Sequence, residues 1–362
     1  MTETLDSTTG TTTGTVLDPD TLTALLGRIL TDLGATGAAG SIALGHRLGL
    51  WAALAQGPAT PADLAARTGC HERYLAEWLR GQAAGGYVTH DAGTFLLTPE
   101  QAFVLADPAG PDAAAGFRGV LGYLRSEERL AAAFRTGEGI AWHEHHEDVF
   151  TGCAAFYAAG YAVDLVPTWI PALDGVSVKL AAGGRVADVG CGLGATSIMI
   201  GAAFPNATVV GSDNHDVSIT AARERAAAAG VADRVRFELA DAAAFTGEGY
   251  DLVTTFDCLH DLGDPVAAAR RIRESLAPDG TWMLVEPAAG HSVADNLNPV
   301  GRAYYSGSTF LCVPNALAQD GGWSLGAQAG EFPVRQIAAE AGFTRFREAS
   351  RSAFNAVYEI RP

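Results

Sequence analysis

The apolar positions change period along the chain, and the changes divide it. Leu22, Leu25, Leu26, Ile29 and Leu33 fall at i, i+3, i+4, i+7 and i+11, which is one face of a helix. A second helical run covers 42–54. Thr60 with Pro61 predicts a helix start, since threonine offers an N-cap oxygen and proline suits the first turn. Another helix is expected over 71–82, and 86–90 and 94–98 read as two short strands around the Asp91-Ala92-Gly93 turn. Helical spacing returns over 113–124, 127–135 and 154–166, the last ending before Pro167. From Arg185 onward, apolar strand-like runs at 185–189, 207–213, 235–241 and 250–256 take over, and 276–280 reads as the turn into a fifth strand. The division that follows is a disordered tail (1–18), a winged-helix domain (19–107), a helical connector and cap (108–180) and an α/β domain (181–362). The span 288–330 is too long for an ordinary loop, which points to a functional insertion.

The most informative junction is the end of the first of these strands. Asp188 is followed by Gly190, Gly192 and Gly194, and a helical stretch begins at Ala195. Strand, glycine turn and helix bring bare backbone against a nucleotide-like ligand, because no Cβ blocks the approach. Gly190, Gly192 and Ala195 also satisfy the dinucleotide fingerprint, so the neighbours must decide between cofactors. Asp213 ends the second strand and Asp241 follows the third. A nicotinamide enzyme accounts for Asp213 but leaves Asp241 and the Leu276-Ala-Pro-Asp-Gly280 turn as coincidence.

With these residues in place, 185–362 resembles the class I S-adenosylmethionine (SAM)-dependent methyltransferases. The resemblance implies a Rossmann-like α/β fold, a seven-stranded mixed sheet with helices on both faces, and SAM as cofactor with S-adenosylhomocysteine (SAH) as product. It implies that Asp188 helps hold the methionine ammonium, Asp213 accepts from the ribose hydroxyls and Asp241 from the adenine amine. Gly190, Gly192, Gly194, Asn214, His215, Ala242 and Asp257 complete the expected cofactor set. Leu259-His260-Asp261 resembles the segment that carries the catalytic histidine in plant-type small-molecule O-methyltransferases. His260 is then the expected general base, Glu286 its orienting acid and Asp261 its neighbour. The tryptophan that usually follows the aspartate is Leu262 here, which bears on acceptor placement. No Asn/Asp-Pro-Pro-Tyr/Phe sequence follows the fourth strand, which sets aside base-amine and glutamine methylation. Apart from any resemblance, a hydroxyl acceptor is a weak nucleophile until its proton leaves, and histidine suits that task near neutral pH.

The connector holds Trp142-His143-Glu144-His145-His146. Together with 295–302, this segment resembles a bacterial, mycobacterial-type group of winged-helix methyltransferases. That likeness implies that His145 and His146 border the acceptor pocket; Trp142, Asn298 and Tyr305 are expected beside them. Three histidines on one short loop seldom converge on an ion, so no metal is expected.

Composition narrows the partners. Lys and Arg total 24 against 41 Asp and Glu, a net charge of −17. Such a surface repels polyanions, which argues against nucleic acid and anionic membranes. The expected second helix of the winged-helix motif carries Arg73 and Arg80 against Glu72 and Glu77. The winged-helix domain is therefore read as a dimerisation and capping module, giving a homodimer acting on a small molecule. Five scattered cysteines fit a reducing, cytoplasmic setting. The acidic, Thr/Gly-rich start lacks the basic and apolar regions of a signal peptide, and no apolar run is read as a membrane span. Two other readings use the same residues: a SAM-sensing transcription regulator, and a SAM-binding enzyme without methyl transfer.

Overall fold

The computed structural model describes residues 17–362, so all of the expected tail except Leu17 and Asp18 lies outside the described residues. Helix α1 (Pro19–Arg47) opens on Asp18, whose carboxylate accepts from the Thr21 N–H at 3.1 Å. It runs for 29 residues, where two helices were expected. The glycines at 34, 37 and 40 cost propensity without stopping it, and the chain breaks only at Leu48 and Gly49 before α2 (Leu50–Ala55). Thr60 and Asp63 form a reciprocal capping box at α3 (Pro61–Thr68), followed by α4 (Glu72–Ala84). The strands β1 (Thr89–Asp91) and β2 (Thr94–Leu96) pair antiparallel as the wing, and α5 (Pro99–Leu105) closes the domain. Trp51, Leu54, Leu64 and Leu79 form its buried centre.

The connector is α6 (Ala113–Leu124), α7 (Glu127–Thr136) and α8 (Glu147–Asp164). α6 and α8 meet through glycines: a Cβ on Gly152 would lie 2.2 Å from the Gly119 nitrogen, so only glycine permits this crossing. Helical winding continues past α8 through a π-turn at Leu165–Trp169, which absorbs Pro167, and a 3₁₀ turn at Ile170–Ala172. This corrects the expectation of no membrane-length run, since Glu147–Ala172 spans 26 residues with an 18-residue window of mean hydropathy 1.4. Alanine supplies part of that value, and the larger apolar residues are scattered among alanine, glycine and tyrosine, so no apolar block is visible. Its inner side packs Tyr161, Leu165, Trp169 and Ile170 into the core of the α/β domain.

After α9 (Val176–Ala181), the α/β domain alternates β3 (Arg185–Val189), α10 (Ala195–Ala203), β4 (Thr208–Asp213), α11 (Asp216–Ala228), β5 (Val235–Leu239), β6 (Tyr250–Phe256), α12 (Pro265–Ser275) and β7 (Leu276–Pro287). The insertion is helical, with α13 (Pro299–Phe310) and α14 (Cys312–Leu317), and α15 (Glu331–Glu340), β8 (Arg345–Arg351) and β9 (Asn355–Arg361) end the chain. The sheet order is β5-β4-β3-β6-β7-β9-β8, parallel except for β9, which is antiparallel to both neighbours. The 276–280 segment is not a free turn: Leu276 already pairs with Tyr250, and a register shift before Leu252 takes up the extra residues. The strand order reverses between β3 and β6, which opens a crevice beyond their carboxyl ends. Helix α8 and the insertion roof that crevice.

Candidate functional site

A cavity of about 430 Å³ fills the crevice. One end is built from strand ends. The glycine turn is pinned to β4 by Gly190 and Cys191 N–H groups donating to the Ser212 carbonyl, at 2.8 and 3.0 Å. Asp213 ties the same elements together: its carboxylate accepts from the Gly192 N–H and the His215 N–H, both at 2.9 Å. Burial raises its pKa, against the pull of those two donors. Asp213, Asn214, His215, Asp241 and Ala242 all stand on the cavity wall.

The three glycines divide by role. A Cβ on Gly190 would meet Cys258 Sγ at 2.7 Å, and one on Gly194 would meet the Phe237 ring at 2.7 Å. A Cβ on Gly192, at φ +51°, would meet nothing within 4 Å. Gly192 is thus the residue that leaves bare backbone toward a ligand, and with Asp213 and Asp241 beside it this end fits the adenosine portion of SAM.

Asp188 departs from expectation. It is fully buried and absent from the cavity wall. Its carboxylate accepts from Thr196 Oγ1 at 2.7 Å, Ser197 Oγ at 2.6 Å and Thr254 Oγ1 at 2.9 Å. The residue braces β3 against α10 and β6, and no oxygen is presented to a methionine ammonium.

At the other end, the cap supplies a stripe of wall residues, Phe150, Cys153, Ala154, Tyr157 and Tyr161, with Trp142 and His143 above them. Tyr157 and Tyr161 are stacked at 5.9 Å, and Phe256 lies 5.2 Å from Tyr161. Asp257 sits where the two ends meet. It has left-handed backbone at φ +46° and accepts from Tyr161 OH at 2.5 Å and Asn355 Nδ2 at 2.9 and 3.0 Å. Burial pushes its carboxyl up to about 7, with Glu286 adding to the rise and the Tyr161 hydrogen bond opposing it.

His260 lies one layer behind the wall and is 3 % exposed. Its Nδ1 is 2.5 Å from Glu286 Oε2, and its Nε2 is 3.2 Å from Asp261 Oδ1. Glu286 also accepts from the Leu259 N–H at 3.0 Å. Burial disfavours the imidazolium, but Glu286 and Asp261 outweigh it and hold the pKa well above the usual histidine value. Asp261, in contrast, stands on the wall. Its carbonyl accepts from Asn315 Nδ2 at 3.2 Å and Gln319 Nε2 at 2.9 Å, so α14 and the residues just after it fix the segment.

Of the expected acceptor residues, only Trp142 reaches the wall. His145 is buried against Ser126, His146 caps α8 by accepting from the Asp148 N–H, and it is His143 that faces the cavity. Asn298 caps α13 through the Gly301 N–H and borders a separate pocket, while Tyr305 is on neither wall. The three histidines do not converge. His260, Asp261 and Cys312 do, with one potential ligand atom each within 4.8 Å.

Comparison with known proteins bears on this geometry. Residues 187–282 match a family model described as a methyltransferase domain, and residues 37–107 match the Rv2258c-like winged HTH domain. The mitomycin biosynthesis 6-O-methyltransferase of Streptomyces lavendulae is 30% identical over 288 residues, covering 74% of this chain and 81% of that protein. The trans-aconitate 2-methyltransferase of Variovorax paradoxus is 34% identical over 112 residues, 30% of this chain and 41% of that protein. Human N-acetylserotonin methyltransferase in complex with SAM superimposes with a TM-score of 0.69 at 17% identity, covering 96% of this chain and 99% of that one.

Proposed function

The chain belongs to the SAM-dependent O-methyltransferases that carry an N-terminal winged-helix domain, and from that premise we propose that it methylates a hydroxyl oxygen of a small aromatic acceptor lodged beneath the cap. The observation that carries this reading is the meeting, in one cavity, of a nucleoside-shaped end and an aromatic end, with a buried proton-accepting chain opening between them. When bound, SAM supplies a methyl group on a sulfonium whose departure leaves a neutral thioether.

The protein's own residues orient the acceptor and remove its proton. Tyr157, Tyr161, Phe256 and Trp142 line this end and make it aromatic, which suits an acceptor ring. Holding the acceptor oxygen in line with the methyl group accounts for much of the rate such enzymes achieve. His260 is not placed to take the hydroxyl proton directly. Glu286 and Asp261 clamp it and favour its charged form, and Asp261 is the member that faces the cavity. The cluster of these three side chains receives the hydroxyl proton. Asp261 accepts it, and His260 and Glu286 share the charge behind it. General-base assistance of this kind is worth ~10²- to 10⁴-fold in rate.

The same reading includes a cytoplasmic homodimer that does not bind nucleic acid. Leu22, Leu25, Leu26, Ile29, Leu30 and Leu33 on α1 are 41 to 72 % exposed, an apolar stripe suited to a second copy of the chain. Arg73 and Arg80 on α4 both pair with Glu77, which leaves that helix without a positive face for phosphates. The five cysteines are all unpaired, which fits a reducing compartment.

The test is mass spectrometry after incubation with methyl-labelled SAM and a metabolite extract, with Asp261→Asn and Glu286→Gln alongside. Label in a new small molecule with the wild type, reduced at least ~10²-fold in Asp261→Asn, is the expected result. SAM that binds but stays intact would favour the sensor or the non-methylating enzyme. Activity lost to a chelator and restored by zinc alone would instead put a metal on His260, Asp261 and Cys312.

A further inference from the structure

We propose that Asn315 is a positioning residue that sets Trp142 and Asp261 in register. The wall that meets the acceptor ring and the carboxylate that takes its proton are then placed as one unit. The proposal rests on the O-methylation reading for what Asp261 does, and it gives Asn315 a part in that step.

The turn that carries His260 and Asp261 is held from two sides. Its first residue is fixed from the sheet, where the Leu259 N–H donates to Glu286 at 3.0 Å. Its last residue has no strand beside it, and the grip comes from the insertion. Asn315 Nδ2 and Gln319 Nε2 both donate to the Asp261 carbonyl, at 3.2 and 2.9 Å. Gln319 Oε1 also accepts from the Gly263 N–H at 3.2 Å, so Gln319 grips the turn and the residues just after it. A backbone carbonyl fixed by two amides sets the direction in which the Asp261 side chain leaves the chain. That direction decides whether its carboxylate meets the acceptor oxygen.

Asn315 differs from Gln319 in what it does with its other end. Its Oδ1 accepts from the Trp142 N–H at 3.1 Å, and Trp142 is a wall residue of the acceptor end. Around that bond the cap loop lies backbone to backbone on α14. The Ile140 N–H donates to the Pro314 carbonyl at 2.9 Å, and a Cβ on Gly139 would lie 2.1 Å from the Ala318 nitrogen. A single side-chain amide therefore spans from the cap to the proton-accepting segment. An amide suits the post because it offers an acceptor at one end and a donor at the other. A carboxylate or a hydrocarbon of the same shape cannot serve both.

The experiment compares Asn315→Ala, Asn315→Asp and Gln319→Ala with the wild type, full-length and SAH-loaded at pH 8, without acceptor. Hydrogen exchange read by mass spectrometry follows segments 139–146 and 258–263. Asn315→Ala should speed exchange about tenfold in both, since each loses a hydrogen bond. Gln319→Ala should loosen 258–263 alone. Asn315→Asp keeps an oxygen for the Trp142 N–H and sets another against the Asp261 carbonyl, so it too should loosen 258–263 alone. These two variants decide the matter if Asn315→Ala fails to fold. The proposal is overturned if 258–263 is unchanged in the Asn315 variants, or if Gln319→Ala loosens the cap segment equally. Loosening across the whole α/β domain also overturns it, because the role would then be structural.

Methyl transfer from labelled SAM into a dilution series of the metabolite extract reads the consequence. Asn315→Ala should lower the maximal rate at least about tenfold and need more extract for half-saturation, while Gln319→Ala should lower the maximal rate alone. SAH affinity should stay within about twofold in all three. An unchanged maximal rate in Asn315→Ala overturns the proposal, and a shift in half-saturation alone would make Asn315 an acceptor-binding residue. Exchange that loosens as expected in a protein that transfers no label would keep the register and remove the O-methylation reading.

Discussion

The two ends of the cavity are built on opposite principles. The adenosine end comes from consecutive strand ends of one sheet, and much of it is backbone, the glycine turn and the N–H groups bound to Asp213, joined by the carboxylates of Asp213 at the end of β4 and Asp241 just past β5. The acceptor end comes from the cap, the segment after β6 and the insertion, and it is almost entirely side chain. Asn315 of the insertion ties the other two together, since its Oδ1 accepts from the Trp142 N–H of the cap at 3.1 Å and its Nδ2 donates to the Asp261 carbonyl at 3.2 Å. The difference shows how one cofactor can serve many acceptors. The donor half can stay fixed while the acceptor half changes by substitution on elements that carry no strand pairing.

The sharpest way to break this comparison is to strike each half where its charges are concentrated. His260→Ala would leave Glu286 and Asp261 facing each other without the cation between them. Removing one member of a buried ionic group costs about 3–5 kcal/mol, and the proton chain would be lost with it. We expect a marked fall in unfolding temperature, and in the surviving folded fraction a loss of activity on the order of 10²- to 10⁴-fold with SAM affinity little changed. Asp213→Ala should do the reverse. Calorimetry should show SAM binding weakened by roughly ten- to a hundredfold, since hydrogen bonds to a charged group are worth ~1.5–3 kcal/mol each. Equal effects of both variants on SAM affinity would show that the halves are not separable.

The same contrast governs how much the sequence discloses. Asp213 and Asp241 are legible because one ends β4 and the other lies two residues past β5, and the position relative to a strand end places the side chain at the crevice. Asp188 is the exception within that half. It too lies near a strand end, but it sits inside the sheet, and three hydroxyls from α10 and β6 claim its oxygens. In the acceptor half, only the α8 stripe has a period that could have been read: Phe150, Cys153, Ala154, Tyr157 and Tyr161 fall at i, i+3, i+4, i+7 and i+11. The histidine segment has no such guide. It is a single 3₁₀ turn (Trp142–Glu144) followed by a helix cap, so each residue points a different way and His143 faces in while His145 and His146 do not. Asn355 is 98 residues from Asp257 and reaches it only because β9 runs back beside β7. Asn298 and Tyr305 were expected from the likeness over 295–302 and from the polar and aromatic make-up of the insertion, and neither says which side of α13 meets the cavity.

Within the donor half, the glycine turn can be resolved residue by residue. Gly194→Ala would press a methyl group into Phe237 and Ala222, and Gly190→Ala into Cys258. Each should cost stability, roughly 1–3 kcal/mol for overpacking in a region that cannot open. Gly192→Ala meets no neighbour, so its stability cost is limited to the left-handed backbone, about 1 kcal/mol. Its larger effect should be on SAM affinity, because the new methyl group occupies the face left bare for the ligand. Denaturant unfolding alongside SAM titration of the three variants separates the two roles.

The smallest expected effect isolates the residue on which the two halves meet. Asp257 titrates near 7 in the folded protein, against an ordinary value of 3.8. Between those values the folded state holds a proton that the unfolded chain has released. Stability contributed by this group is therefore present below about pH 4, declines as pH rises through the interval, and is fully lost above about 7. Asp257→Asn keeps an oxygen for Tyr161 and cannot ionise, so it should escape this decline. Its melting temperature relative to wild type should rise with pH between 4 and 7 by a few degrees and level off above that, whatever constant offset the substitution brings. A pH-independent offset would mean that the fold does not raise the Asp257 carboxyl, so that its charge is carried by its neighbours in the folded protein.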